Sequence, residues 1–127
     1  MNKWLMVAGF FGFSGVGLGA FAAHSLKNLL TPEQLAVFQT GVQYQLWHAL
    51  ALLIVALWLS RDASRWLRAA AWCFALSAPL FSGSLYLLTL AGWRVGLVTP
   101  LGGLLLMAGW SCLMVQGGRH KVTKHLG

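Results

Sequence analysis

Gln43, Gln45 and His48 stand together in the stretch Thr40-Gly41-Val42-Gln43-Tyr44-Gln45-Leu46-Trp47-His48-Ala49-Leu50, at the start of a long apolar segment. Lipid offers no hydrogen bonds, so an amide or imidazole at that depth must face other helices or a wet cavity. At 100° per residue, Gly41, Tyr44, Gln45 and His48 share one helical face, while Gln43 sits nearly opposite with Trp47. Ser82, Ser84, Tyr86 and Thr99 bring hydroxyls to other apolar segments, and His24 brings a second imidazole. Three chemistries are open to such a set. The first is a cavity for a lipid or small molecule, with His48 and Gln45 as its polar floor and Gln43, His24, Tyr86, Ser82 and Thr99 around it. The second is interhelical hydrogen bonding that only locks the helices together. The third is an intramembrane Ser–His hydrolase pair made by Ser82 or Ser84 with His48. Ser82 and Ser84 lie about 200° apart on a helix, so only one can face His48. Serines beside a glycine usually serve close packing, so the sequence points away from an enzyme.

Metal and cofactor chemistry finds little here. Two histidines without a nearby Cys, Asp or Glu are too few ligands for a metal site. No Asp or Glu lies within an apolar segment to relay protons, and neither a charged ring nor a carbonyl filter is recognisable. No cofactor is expected.

The elements that must position these residues follow from composition. The chain has 127 residues, 58% of them hydrophobic and only 9% charged, which is a composition for a bilayer rather than for water. We read residues 1–127 as one all-α membrane domain, a polytopic bundle of four transmembrane helices. The net charge of +7 is spread over short loops and both ends, with no basic face interleaved with aromatics. Nucleic acid is therefore excluded as a partner. Cys73 and Cys112 lie inside apolar segments without ligand-like spacing and read as small buried hydrophobes.

The spans are expected at about 4–23, 42–60, 68–91 and 97–116, followed by a basic tail over 117–127. Ala8, Gly12, Gly15, Gly19 and Ala23 form a smooth ridge on the first span that includes a GxxxG pair, and Ala71, Ala75, Ala78 and Ser82 form another on the third. Lys3, the apolar run and Ala20-Phe21-Ala22 imitate a signal peptide, but we read the segment as a true span. Thr31-Pro32-Glu33-Gln34 is a capping box with proline at the first helical position. From Pro32 the helical pattern is too long for one perpendicular span, which predicts a short interfacial helix with a bend at Gly41 before the second span. Pro79 predicts a kink in the third. Thr99-Pro100 repeats the helix-start signal, and Gly117-Gly118 marks the end of the fourth helix.

Counting Lys and Arg on alternating sides gives Lys3, Arg61, Arg65, Arg68, Arg119, Lys121 and Lys124 against Lys27 and Arg94. That bias places both termini in the cytoplasm. His48 and Tyr86 then lie about 9 Å below the outer ends of their helices, at one level of the outer half of the membrane.

Four ordered stretches carry a family resemblance. They are Gly19-Ala20-Phe21-Ala22-Ala23-His24-Ser25-Leu26-Lys27, the Thr40–Leu50 stretch, Leu80-Phe81-Ser82-Gly83-Ser84-Leu85-Tyr86, and Thr99-Pro100-Leu101-Gly102-Gly103 with Gly109-Trp110. The chain resembles the YgdD/YwdK-like small inner-membrane proteins, which have small eukaryotic transmembrane relatives. The resemblance implies a four-helix protein of the bacterial cytoplasmic membrane and brings no substrate, catalytic residue or cofactor. The leading expectation is a binding or transport module for a lipid or small molecule. The alternative is a structural or accessory subunit that packs with itself or with a partner membrane protein.

Overall fold

The structure is a computed structural model that describes residues 2–94 and 96–119. Helix α1 (Lys3–His24) is followed by one 3-10 turn at Leu26–Asn28 and by α2 (Pro32–Leu59). Then α3 (Arg65–Ser77), a π turn (Ala78–Ser82) and α4 (Gly83–Ala91) run on as a single rod, and α5 (Val98–Arg119) closes the described chain. Four of these rods are long and apolar enough to cross a membrane. No strand occurs among the described residues. The basic tail from residue 120 onward lies outside them.

The helix ends obey local chemistry. The Thr31 hydroxyl accepts from Gln34 N at 3.2 Å while the Gln34 side chain accepts from Thr31 N at 3.0 Å, so the capping box predicted from the sequence closes in both directions. Ser64 caps α3 and also donates to Gln116 of α5, which ties two helix ends on one side of the bundle. Gly92 ends α4 with φ +69°, a left-handed conformation that a side chain would resist. Thr99 does not cap its helix. The helix begins one residue earlier, and the Thr99 hydroxyl instead meets Ser84 at 2.5 Å.

The second span differs from expectation. No separate interfacial helix precedes it: α2 runs unbroken for 28 residues, about 42 Å, through Gly41. Gly41 is not a hinge there but a point of close approach. A β-carbon on it would lie 2.9 Å from the Tyr86 ring and 3.4 Å from the Ser82 carbonyl. The third span answers Pro79 with a π turn, in which Gly83 N–H reaches back to the Ala78 carbonyl. The widened turn absorbs the missing proline N–H without ending the rod.

Packing makes α2 and the α3–α4 rod the inner pair. Helix α1 packs chiefly on α2, and α5 packs on α3 and the π turn. Gly15 and Gly19 of the α1 ridge meet Leu46 and Val42, whereas a β-carbon on Gly12 would touch nothing. Ala75 and Ala78 are half-buried on the third rod. On α5, Gly102 lies against the backbone of Leu80 and Phe81, and Gly109 lies under the Phe74 ring. Large apolar side chains such as Phe13, Ile54, Leu104 and Met114 face outward, while Ala, Gly and Ser are concentrated within. Apolar outside and small inside is the arrangement lipid favours, because only close packing and polar contacts draw helices together there.

The core is divided into two apolar clusters. One gathers Ala51, Leu52, Val55, Ala70, Phe74 and Leu106. The other gathers Ala22, Leu26, Phe38 and Val42. Between them along α2 lie Gln45 and His48.

Gly102→Ala should lower the thermal midpoint in detergent and cost about 1–3 kcal/mol, because its methyl meets backbone that cannot step aside. Gly12→Ala should be neutral or stabilise by up to about 1 kcal/mol, since it gains helix propensity and meets no neighbour. Unfolding followed by tryptophan fluorescence distinguishes the two.

Candidate functional site

The middle polar layer is built outward from Gln45, which is 6% exposed. Its Nε2 donates to the Phe11 carbonyl at 2.9 Å and to Ser14 Oγ at 2.8 Å, and its Oε1 accepts from the Tyr86 hydroxyl at 2.7 Å. One amide thus joins α1, α2 and α4. The approach needs Gly15, whose β-carbon would stand 2.7 Å from Leu46 and 3.4 Å from the Gln45 amide nitrogen. Ser14 is available because its own hydroxyl proton goes to the Phe10 carbonyl one turn back, at 2.8 Å. Ser82 adds a second tie between the inner rods by donating to the Gly41 carbonyl at 2.7 Å.

His48 occupies a separate aromatic box. Its ring lies nearly parallel to Tyr44 at 5.9 Å and faces Phe74 at 5.5 Å and Trp110 at 5.8 Å. The indole of Trp110 has only a proton to give, so its 3.0 Å contact makes His48 Nε2 the acceptor. Nδ1 therefore carries the proton and donates to the Tyr44 carbonyl at 2.8 Å. Both ring nitrogens of this neutral imidazole are occupied by protein. Beside it lies an enclosed void of about 10 Å³ bordered by Gln45, Ser77 and Ser82, at the lower limit for one water molecule.

The sequence-derived candidates therefore separate. Gln45, Tyr86 and Ser82 come together at the α1–α2–α4 junction, and His48 lies next to them but engages α5 through Trp110. Thr99 is joined to Ser84 rather than to this layer. Gln43 is exposed on the outer face of α2, and His24 is exposed in the last turn of α1. The Ser–His pairing is not formed: Ser82 donates to Gly41, Ser84 to the Phe81 carbonyl at 2.7 Å, and His48 is held by Tyr44 and Trp110. Among the described residues no three His, Cys, Asp or Glu side chains gather. Two participants escaped the sequence reading. Ser14 carried a signal, being the lone hydroxyl in the first span's Gly- and Phe-rich run, and Trp110 carried one as the aromatic beside Gly109.

Between α1 and the third rod opens a crevice of about 270 Å³. Phe10, Phe11 and Leu18 form one wall, Ala75, Ala78, Pro79 and Gly83 the other, and Ser14, Gln45 and Tyr86 supply its polar floor. It is overwhelmingly apolar and faces the outside of the bundle.

A family described as a protein of unknown function (DUF423) matches residues 18–103. The chain is 41% identical over 118 residues to the UPF0382 inner membrane protein YgdD of Escherichia coli K12, covering 92% of this chain and 90% of that protein. It is 37% identical over 117 residues to the UPF0382 membrane protein SH2409 of Staphylococcus haemolyticus, covering 91% and 95%. A UPF0382 membrane protein of Haemophilus influenzae is 41% identical over 113 residues, covering 88% and 90%. No solved structure matches.

Tyr86→Phe should cost about 1 kcal/mol by leaving Gln45 Oε1 without its donor, within the modest range seen for hydrogen bonds between membrane helices. His48→Ala and Trp110→Phe should be non-additive by about 0.5–2 kcal/mol in a double-mutant cycle read by thermal unfolding. Additive effects would remove the His48–Trp110 bond from the account.

Proposed function

The chain belongs to the DUF423 family of membrane proteins, and from that premise we propose that it binds the apolar portion of a membrane lipid in the crevice between α1 and the third rod. The observation that carries this reading is the crevice itself. It is an apolar slot between two spanning helices, reachable from the bilayer, with three polar side chains converging on its floor. Its size suits a segment of an acyl or isoprenoid chain better than a whole drug-sized molecule. The hydrogen bonds of Gln45, Ser14 and Tyr86 hold the floor in place, so a chain entering the slot meets a preorganised surface.

His48 takes a structural part in this reading. With both nitrogens occupied, it fastens α2 to α5 and keeps the far side of the polar layer closed. The saturated hydrogen bonds also favour a second reading, in which the protein is an accessory membrane subunit and the layer serves only to fix helix positions. We further read both termini as cytoplasmic, from the distribution of Lys and Arg. A fluorescent-protein fusion to the C-terminus should therefore be bright, and a dark fusion with an active periplasmic reporter would reverse the orientation.

Gly83→Leu separates the two functional readings. A β-carbon at Gly83 has nothing nearer than the Ala78 carbonyl at 3.8 Å, so a leucine can extend into the crevice without disturbing the helix. Native mass spectrometry of protein released gently from its membrane should show a discrete lipid mass on wild type and its loss from a folded Gly83→Leu variant. Identical bare or identical lipid-loaded spectra for both would support the accessory-subunit reading.

A further inference from the structure

Resting on the crevice reading, we infer that the lipid is an anionic phospholipid of the leaflet on the Lys3 side, with its phosphate at Lys3 and Arg68 and one chain running down to the crevice. Lys3 Nζ lies 5.1 Å from the Trp4 ring centroid and 5.5 Å from that of Trp72, and the two indoles meet edge to face at 4.9 Å. This ammonium therefore sits over the point where α1 and α3 touch. Arg68 lies one turn before Trp72, on the same face of α3 and nearer the helix end. Lys3 thus stands above the indole pair, and helical spacing puts exposed Arg68 one turn further toward the same end of the third rod.

One face of the third rod links this end to the crevice. Arg68, Trp72, Ala75, Pro79, Gly83 and Tyr86 recur at spacings of three and four along one face of the rod. The last four of these line the crevice. From Trp72 to Pro79 is seven residues, or about 10 Å of helix rise, so the crevice lies at the depth of mid-chain carbons when a phosphate rests at Lys3. Trp72 is 49% exposed, which leaves its outer face for a chain to pass along.

The charge balance favours an anion. The whole chain has two acidic residues. Glu33 is in the first turn of α2, at the opposite end of the bundle, and the Asp62 carboxylate accepts from Gln116 at 3.4 Å. Among the described residues neither Lys3 nor Arg68 is in an ion pair. A lipid phosphate would supply the missing counter-charge, and the indole pair beneath would sit at the glycerol level where Trp side chains are at home.

The test uses the full-length protein in neutral detergent, titrated with dioleoyl phosphatidylglycerol, dioleoyl phosphatidylcholine, or glycerol 3-phosphate, with the thermal midpoint as readout. Wild type should bind phosphatidylglycerol about thirty-fold more tightly than phosphatidylcholine, as two interfacial cations imply, and should ignore glycerol 3-phosphate. Lys3→Gln with Arg68→Gln should bind both lipids equally. Should that pair of changes fail to fold, Arg68→Gln alone, which keeps the Lys3–indole contact, should reduce the preference to about five-fold. Equal binding of both lipids by wild type, a preference unchanged in the cation variants, or stabilisation by glycerol 3-phosphate alone would overturn the anionic assignment. Those outcomes leave the crevice standing if Gly83→Leu still weakens both lipids. Wild-type binding of both lipids by Gly83→Leu would instead overturn the crevice and this inference with it.

Discussion

A carboxamide buried between helices in lipid must find its hydrogen bonds within the protein, and Gln45 finds three. Much of the structure can be read as what is needed to supply them. The donors and acceptors come from Phe11 and Ser14 on α1 and from Tyr86 on α4, so three helices are fixed by one side chain. Gly15 and Gly41 bring the backbones close enough for those bonds to form. The cost of an unsatisfied amide in this setting exceeds the modest net gain of any one bond, so the requirement specifies the helix arrangement more than it adds stability.

Around this layer the apolar contacts divide. The clusters on either side of Gln45 and His48 pack by ordinary van der Waals complementarity, with Phe74 and Leu106 filling one and Phe38 the other. In a bilayer, burying leucine against leucine gains little over leaving it in lipid, so orientation has to come from elsewhere. Glycines at contact points and hydroxyls bonded to neighbouring carbonyls provide it. The π turn at Ala78–Ser82 belongs to the same scheme. By absorbing Pro79 without breaking the rod, it leaves Ser82 facing α2 and Ser84 facing α5.

The crevice arises from this arrangement. Helices α1 and α3 touch at Trp4 and Trp72, then leave a gap along the stretch where the third rod carries Ala75, Ala78, Pro79 and Gly83. Small residues on that wall and a fixed polar floor make a slot that a flexible chain can occupy. Lys3 over the indole pair gives the slot a direction, because it puts a positive charge at that end. A lipid-binding role and a helix-locking role thus draw on the same polar residues but differ in whether the slot is filled.

The sequence by itself determined the class of the protein. Four long apolar stretches with few charges dictate four spanning helices, because backbone polar groups in lipid must bond within their own helix. The Thr31–Gln34 capping box was equally legible, since its partners lie three residues apart. Local spacing also identified Gly41, Tyr44, Gln45 and His48 as one face. Only the tertiary structure decided what that face meets. Gln45 turned to Ser14 and Tyr86 and His48 to Trp110, while Gln43 and His24 remained outside the layer, because partners 31 to 62 residues away leave no periodic trace. Gly41 shows the same limit in its plainest form: a helical glycine admits either a bend or a neighbour, and only the approach of α4 chose between them.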